Sequence, residues 1–102
     1  MAVLKKDGKR ELFDRAKLLT AINRSVGKFF DSDLEIEALV AQVEDELYGQ
    51  GVHEVKSQEI GDLVLQQLLK RNKVAYVRFA SVYKEFRDLE EYEAALQQAR
   101  SA

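Results

Sequence analysis

The sequence predicts a mostly α, α+β domain: four helices with a small β-cap at the N-terminal end, built from a hairpin that a third strand can extend. Three observations carry that expectation. Apolar residues recur at helical spacing in four separate stretches. The first thirteen residues instead read as two short strands around Asp7-Gly8. The chain has 102 residues, no proline and no low-complexity linker, which fits one ordinary domain and is too short for two.

The elements follow in order. Asp7-Gly8 is a strong hairpin signal, because a type I′ turn needs φ > 0 at both central positions. Val3 to Lys6 and Lys9 to Phe13 are the expected strands, which sets Lys6 opposite Lys9 and Lys5 opposite Arg10. Helix 1 follows with Asp14 as its cap. Its apolar positions are Leu18, Leu19, Ile22, Val26, Phe29 and Phe30, and Gly27 ends or kinks it. Ser32-x-x-Glu35 is a capping-box pattern that opens helix 2, whose stripe is Ile36, Leu39, Val40, Val43 and Leu47. Gly49-Gln50-Gly51 stops that helix, and Val52 to Lys56 supplies the third strand. Ser57 reads as the cap of helix 3, with Ile60, Leu63, Val64, Leu68 and Leu69 on its face. Asn72 breaks the chain before helix 4, which starts near Lys73 and shows Ala75, Phe79, Val82, Phe86 and Leu89. Residues 91–102 form a helical or frayed tail, with Tyr92 and Leu96 in phase, after a domain of residues 1–90.

Composition excludes several chemistries. The chain is 46% apolar and 33% charged, which is globular and not disordered. It has no cysteine and one histidine, so thiolate zinc sites, iron–sulfur clusters, cysteine nucleophiles and His-pair metal sites are out. No apolar stretch approaches ~20 residues, so no membrane partner is expected. The charged N-terminus does not resemble a signal peptide, and the default compartment is the cytoplasm. The net charge is −2. Residues 1–28 carry +5, residues 29–62 carry −9 and residues 63–102 carry +2. A basic N-terminal segment on a mildly acidic protein points to a local anion site more than to a duplex-DNA face.

The hairpin holds the most informative chemistry. Cations facing each other across a hairpin repel by about 1 kcal/mol in water and roughly 3 at an effective dielectric near 20. A solvated turn tolerates that cost, and a bound anion offsets it. Lys17, one turn into helix 1, adds another cation at the hairpin–helix junction, an arrangement that suits a polyphosphate. Glu11 and Asp14 are acceptors that suit a base, a ribose or a magnesium-bound water; equally, Glu11 is a solvated strand residue and Asp14 a cap. GxxxxGK[ST] and GxGxxG are both absent, so phosphate binding here relies on side chains. His53 has no second ligand nearby. Asp31, Asp33, Glu35 and Glu37 match the dipole of helix 2. Tyr76 and Tyr83 share a face of helix 4 that suits base stacking or a dimer contact. Together with Arg87 and Tyr92 they outline a candidate self-association surface.

VLKKDGKRELFDRAKL resembles the opening of an ATP-cone, a nucleotide-sensing regulatory domain of ribonucleotide reductases. The pattern V-x-K-[KR]-[DN]-G-x-x-x-x-[FI]-[DN]-x-x-K-[LI] is met by Val3, Lys5, Lys6, Asp7, Gly8, Phe13, Asp14, Lys17 and Leu18. GVHEVKSQEIGDLVLQQL and NKVAYVRFASVYKEFRDL resemble the same domain in a bacterial repressor of ribonucleotide reductase genes. The resemblance runs from Val3 to about Leu89. It implies ATP or dATP, carried with Mg²⁺, between cap and helices. By position it implies Lys5, Lys6 and Lys17 on the phosphates, and Val3, Leu18 and Ile60 around the base. Glu11, Asp14 and Ser57 would read base or ribose, with Tyr83 nearby. No protein side chain would hold a metal.

Such repressors bind DNA through a zinc ribbon that this chain lacks, which implies an excised domain or a stand-alone cone. Where Gly61 stands, reductase cones often have a histidine. The expected function is a non-catalytic nucleotide sensor within a transcriptional repressor, acting through nucleotide-dependent homo-oligomerisation. The alternatives are a stand-alone interaction module, a weak nucleotide hydrolase, for which no water-activating group is visible, and a nucleic-acid module, against which the acidic stretch argues.

Overall fold

The computed structural model describes residues 1–102. Strands β1 (Ala2–Leu4) and β2 (Arg10–Leu12) open the chain, followed by helix α1 (Arg15–Val26) and a 3₁₀ turn at Gly27–Phe29. Helix α2 (Asp33–Gly49), strand β3 (Glu54–Lys56) and helices α3 (Ser57–Arg71), α4 (Lys73–Tyr83) and α5 (Leu89–Ser101) complete it. The expected mostly α fold with a β-cap is present, and the tail adds a fifth helix. No helix is long and apolar enough to cross a membrane.

The sheet order is β2-β1-β3, with β2 antiparallel and β3 parallel to the central β1. Val3 pairs with Val55, and both are buried. The hairpin differs from its expected form by one residue. Leu4 lies opposite Arg10 and Val3 opposite Glu11. The amide of Lys5 donates to Lys9 O and that of Gly8 to Lys5 O. The connection is therefore a three-residue loop, Lys6-Asp7-Gly8, with Gly8 alone at positive φ (+87°). Asp7 Oδ1 accepts from the Lys9 amide and steadies the loop. Lys5 thus faces Lys9, not Arg10.

Helix starts follow the caps. Asp14 accepts from the Lys17 amide and opens α1. Ser32 Oγ accepts from Leu34 N, while the Glu35 carboxylate accepts from Asp31 N instead of from Ser32. Ser57 is not a cap: it is the first residue of α3, and the carboxylate of Glu59 takes the Lys56 amide. Asn72 caps α4 through Ala75 N, and its amide donates to Phe29 O.

All five expected positions of α2 are buried, together with Ile22, Val26, Val64 and Leu68. Truncating a fully buried leucine such as Leu39 to alanine costs about 2–5 kcal/mol. The expected run of helix 4 to Leu89 is overturned. Glu85 adopts φ +53°, α4 ends at Tyr83, and Asp88 caps α5 through Glu91 N. Val82, still within α4, and Leu89, beyond the break, are both exposed. Phe86 turns back onto Tyr92, edge to face at 5.0 Å. Helix α5 buries Ala95 and Ala99 and not the Tyr92/Leu96 stripe, because two small residues permit close approach to α4.

Candidate functional site

A cavity of about 290 Å³ lies where the hairpin meets α1, α3 and the end of α4. Val3 reaches it from the central strand, Leu18 from α1, Ile60 and Val64 from α3, and Phe79 from α4. Lys5, Glu11, Asp14, Lys17, Ser57 and Tyr83 border the same space. Nine of the ten residues singled out by sequence therefore converge, although they come from five elements and from both ends of the chain. The tenth, Lys6, lines an adjoining polar recess of about 450 Å³ with Lys5, Asp7, Lys9, Glu11 and Ser57. An apolar chamber thus opens into a mouth edged by four lysines, Lys5, Lys6, Lys9 and Lys17. Of two larger concavities elsewhere, that of about 590 Å³ has Lys84 alone as a cation, beside Asp62 and Glu91, and that of about 640 Å³ is an apolar groove with basic residues at its edge but none of the residues singled out from the sequence as a nucleotide site.

The cations of the chamber are held by one carboxylate. Glu11 Oε1 lies 3.0 Å from Lys17 Nζ and 3.1 Å from Lys5 Nζ. Hydrogen bonds from Lys17 and then Lys5 hold its carboxyl below the usual carboxylate range. The two ammonium groups thereby gather around one anionic oxygen, the kind of group a phosphate presents. The hairpin register produces this, because Glu11 pairs with Val3 and Lys5 follows two residues on. Asp14 contributes Oδ1 to the helix cap, which also fixes the backbone at Lys17.

Tyr83 belongs to the chamber, not to an outer face. Its hydroxyl donates to Gln58 O at 2.8 Å, and its ring stacks on Phe79 at 5.9 Å between centroids. Burial, and secondarily the charge of Asp62, pushes its phenol pKa up. The ring lies directly on the backbone of Gly61: a Cβ there would stand 2.1 Å from Tyr83 Cζ. Gly61 is thus required by close approach. Tyr76, also expected outward, is buried against the core. Of the four residues expected to outline a self-association surface, Arg87 and Tyr92 alone are exposed.

Sequence reasoning left out Leu12, Phe13, Ala21, Val64 and Phe79 as lining residues. Phe79 and Val64 were visible only as members of core stripes, and nothing in their spacing separates a core wall from a cavity wall. Ser57 lines the chamber at the first turn of α3.

The donor set does not fit a protein-held divalent cation. No group of three or more His, Asp or Glu side chains converges, and Glu11 Oε1 faces two lysines.

The ATP cone domain family matches residues 1–89. Relatives described as "Transcriptional repressor NrdR" match almost the whole chain. The one from Petrotoga mobilis is 46% identical over 98% of this chain and 67% of its own length. Those from Dictyoglomus turgidum and Streptococcus pneumoniae are 47% and 44% identical over 96% of this chain, and 65% and 62% of their own lengths. The chain therefore spans about two thirds of these relatives. A match that covers both the cap and the helices, over the elements that build the chamber, settles the family: this chain belongs to the ATP cone domain family.

Proposed function

We propose that the chain is a nucleotide-sensing regulatory domain that binds ATP or dATP, carried with Mg²⁺, and serves a repressor of ribonucleotide reductase genes. The observation that carries this reading is the pairing of an apolar chamber with a mouth edged by lysines. A purine is apolar on its faces and a triphosphate is a compact polyanion, so one molecule satisfies both halves. Val3, Leu18 and Ile60 take the base. Lys5, Lys6 and Lys17 take the phosphates. Asp14, Ser57 and Glu11 read the ribose or the base edge, and Tyr83 closes the wall. Residues 1–90 act as the binding unit and residues 91–102 as its tail.

The domain is non-catalytic in this reading. Its output is a change in self-association: a nucleotide shifts that equilibrium by its differential affinity for the two forms. DNA contact belongs to a zinc ribbon outside these residues, and the setting is the cytoplasm. Thermal unfolding tests the reading. A ligand at about 100 times its Kd adds about 2.7 kcal/mol, which moves the midpoint of a domain this size by several degrees. An unchanged midpoint in saturating ATP and in saturating dATP would reject it.

A further inference from the structure

A groove of about 640 Å³ runs between α4 and α5, apart from the nucleotide chamber. Val74, Val77, Tyr92 and Leu96 form its apolar lining, and Arg78 and Arg100 stand at its rim. Val74 is 62% exposed. Scattered apolar side chains on a surface need no explanation, but a contiguous apolar groove marks a contact. No carboxylate lines it, and neither arginine takes part in any ion pair of the chain.

The complementary feature sits on the first turn of α2. Leu34 is 77% exposed, and Asp31, Asp33 and Glu35 around it are exposed as well. The helix dipole accounts for carboxylates at this position. It does not account for a leucine held out in water among them. An apolar knob ringed by anions matches an apolar groove rimmed by cations in both shape and charge.

We propose that the chain pairs with a second copy of itself by seating the Leu34 turn of one copy in the α4–α5 groove of the other, with Arg78 and Arg100 against Asp33 and Glu35. Asn72, the cap of α4, donates its amide to Phe29 O at 2.8 Å. That bond ties the start of the groove to the segment leading into α2. Reciprocal pairing about a two-fold axis would have each copy give a knob and receive one. The contact itself needs no nucleotide; its control by nucleotide rests on the sensor reading.

Charge exchange tests the pairing. Sedimentation of the full chain is followed up to about 1 mM, apo and with ATP or dATP, a range that captures a weak contact of modest area. The wild-type chain should move from 11.7 kDa toward twice that mass with concentration in at least one of the three states. Arg78→Glu alone and Asp33→Arg alone should each weaken pairing at least about tenfold, and an equimolar mixture of the two should restore it. Leu34→Ala, at an exposed position, should weaken pairing while leaving the unfolding midpoint unchanged. A wild-type chain that stays monomeric in all three states, single variants that pair normally, or a mixture that stays monomeric would each overturn the proposal. None of these residues lines the chamber. Nucleotide titration of the same variants therefore reports separately on the sensor reading.

Discussion

The chamber under the β-cap and the groove between α4 and α5 are both apolar hollows edged by cations, yet their charges are handled differently. In the chamber, Glu11 draws Lys5 and Lys17 to one point. In the groove, Arg78 and Arg100 have no carboxylate partner in the chain. An internal counter-ion fixes cations in space before a ligand arrives, which favours a small ligand with a defined geometry. Unpaired arginines on an open surface favour a large partner that brings its own anions. The lesson is that the count of basic residues does not distinguish a ligand site from a docking surface; the partner of each cation does.

The largest effect that sharpens this contrast is on affinity. Lys5→Ala and Lys17→Ala should each weaken ATP binding roughly tenfold to a hundredfold, the loss of one charge-assisted contact. Lys6→Ala, on the exposed loop, should fall at the low end of that range. Arg78→Glu should leave ATP affinity within about twofold, since only long-range screened charge changes. Calorimetric titration of the four variants checks this. Equal losses in the chamber and groove variants would erase the distinction.

A second, smaller effect concerns the chamber wall. Gly61→Ala should displace the Tyr83 ring, because the new Cβ would occupy its place. The helix gains about 1 kcal/mol of intrinsic propensity from alanine, and the lost ring packing opposes that gain. The expected result is a small change in unfolding midpoint with a several-fold change in nucleotide affinity. Tyrosine fluorescence and titration together check it. An unchanged affinity would mean that Tyr83 does not shape the ligand space.

The smallest effect is on pH dependence. The folded-state pKa of Glu11 lies below its ordinary value of 4.5. Its pairing therefore favours the folded chain above about that ordinary value, and the contribution is lost as pH falls through the depressed one. Both partners are partly exposed, so the effect is modest and weakens with salt. Glu11→Gln should flatten the acid side of the stability curve slightly. A curve identical to wild type below pH 4.5 would show that the ion pair adds nothing to folding.

Much of this was legible in the sequence, and the exceptions have physical causes. Asp14 and Ser32 announced helix starts, because a cap is a local hydrogen bond between neighbours in sequence; Asn72 was legible as a break between helices, and its role as the cap of α4 came from the structure. The α2 stripe was legible because its five positions from Ile36 to Leu47 are all covered. The hairpin register was not, since Asp-Gly fits a two-residue turn as well as a three-residue loop with glycine at positive φ. The end of α4 was hidden because Glu85, not a glycine, takes the left-handed conformation. Asp88-x-x-Glu91 was the missed sign of α5. The chamber residues were assembled from a family resemblance: spacing alone placed Lys5, Lys6 and Lys17 near one another but gave no means of bringing Ser57, Ile60 and Tyr83 to them. The Tyr83 side chain shows the gap most clearly, since its place depends on the absence of a side chain at Gly61.

The central claim is that ATP occupies the chamber under the cap and not the α4–α5 groove. Amide chemical-shift mapping of the full chain during an ATP titration tests it most directly. The account predicts saturable shifts at Val3, Lys5, Lys17, Ser57 and Ile60, with Val77 and Leu96 unmoved at protein concentrations where the chain is monomeric. Shifts centred on Val77 and Leu96, or none at the five chamber residues at saturating ATP, would contradict it.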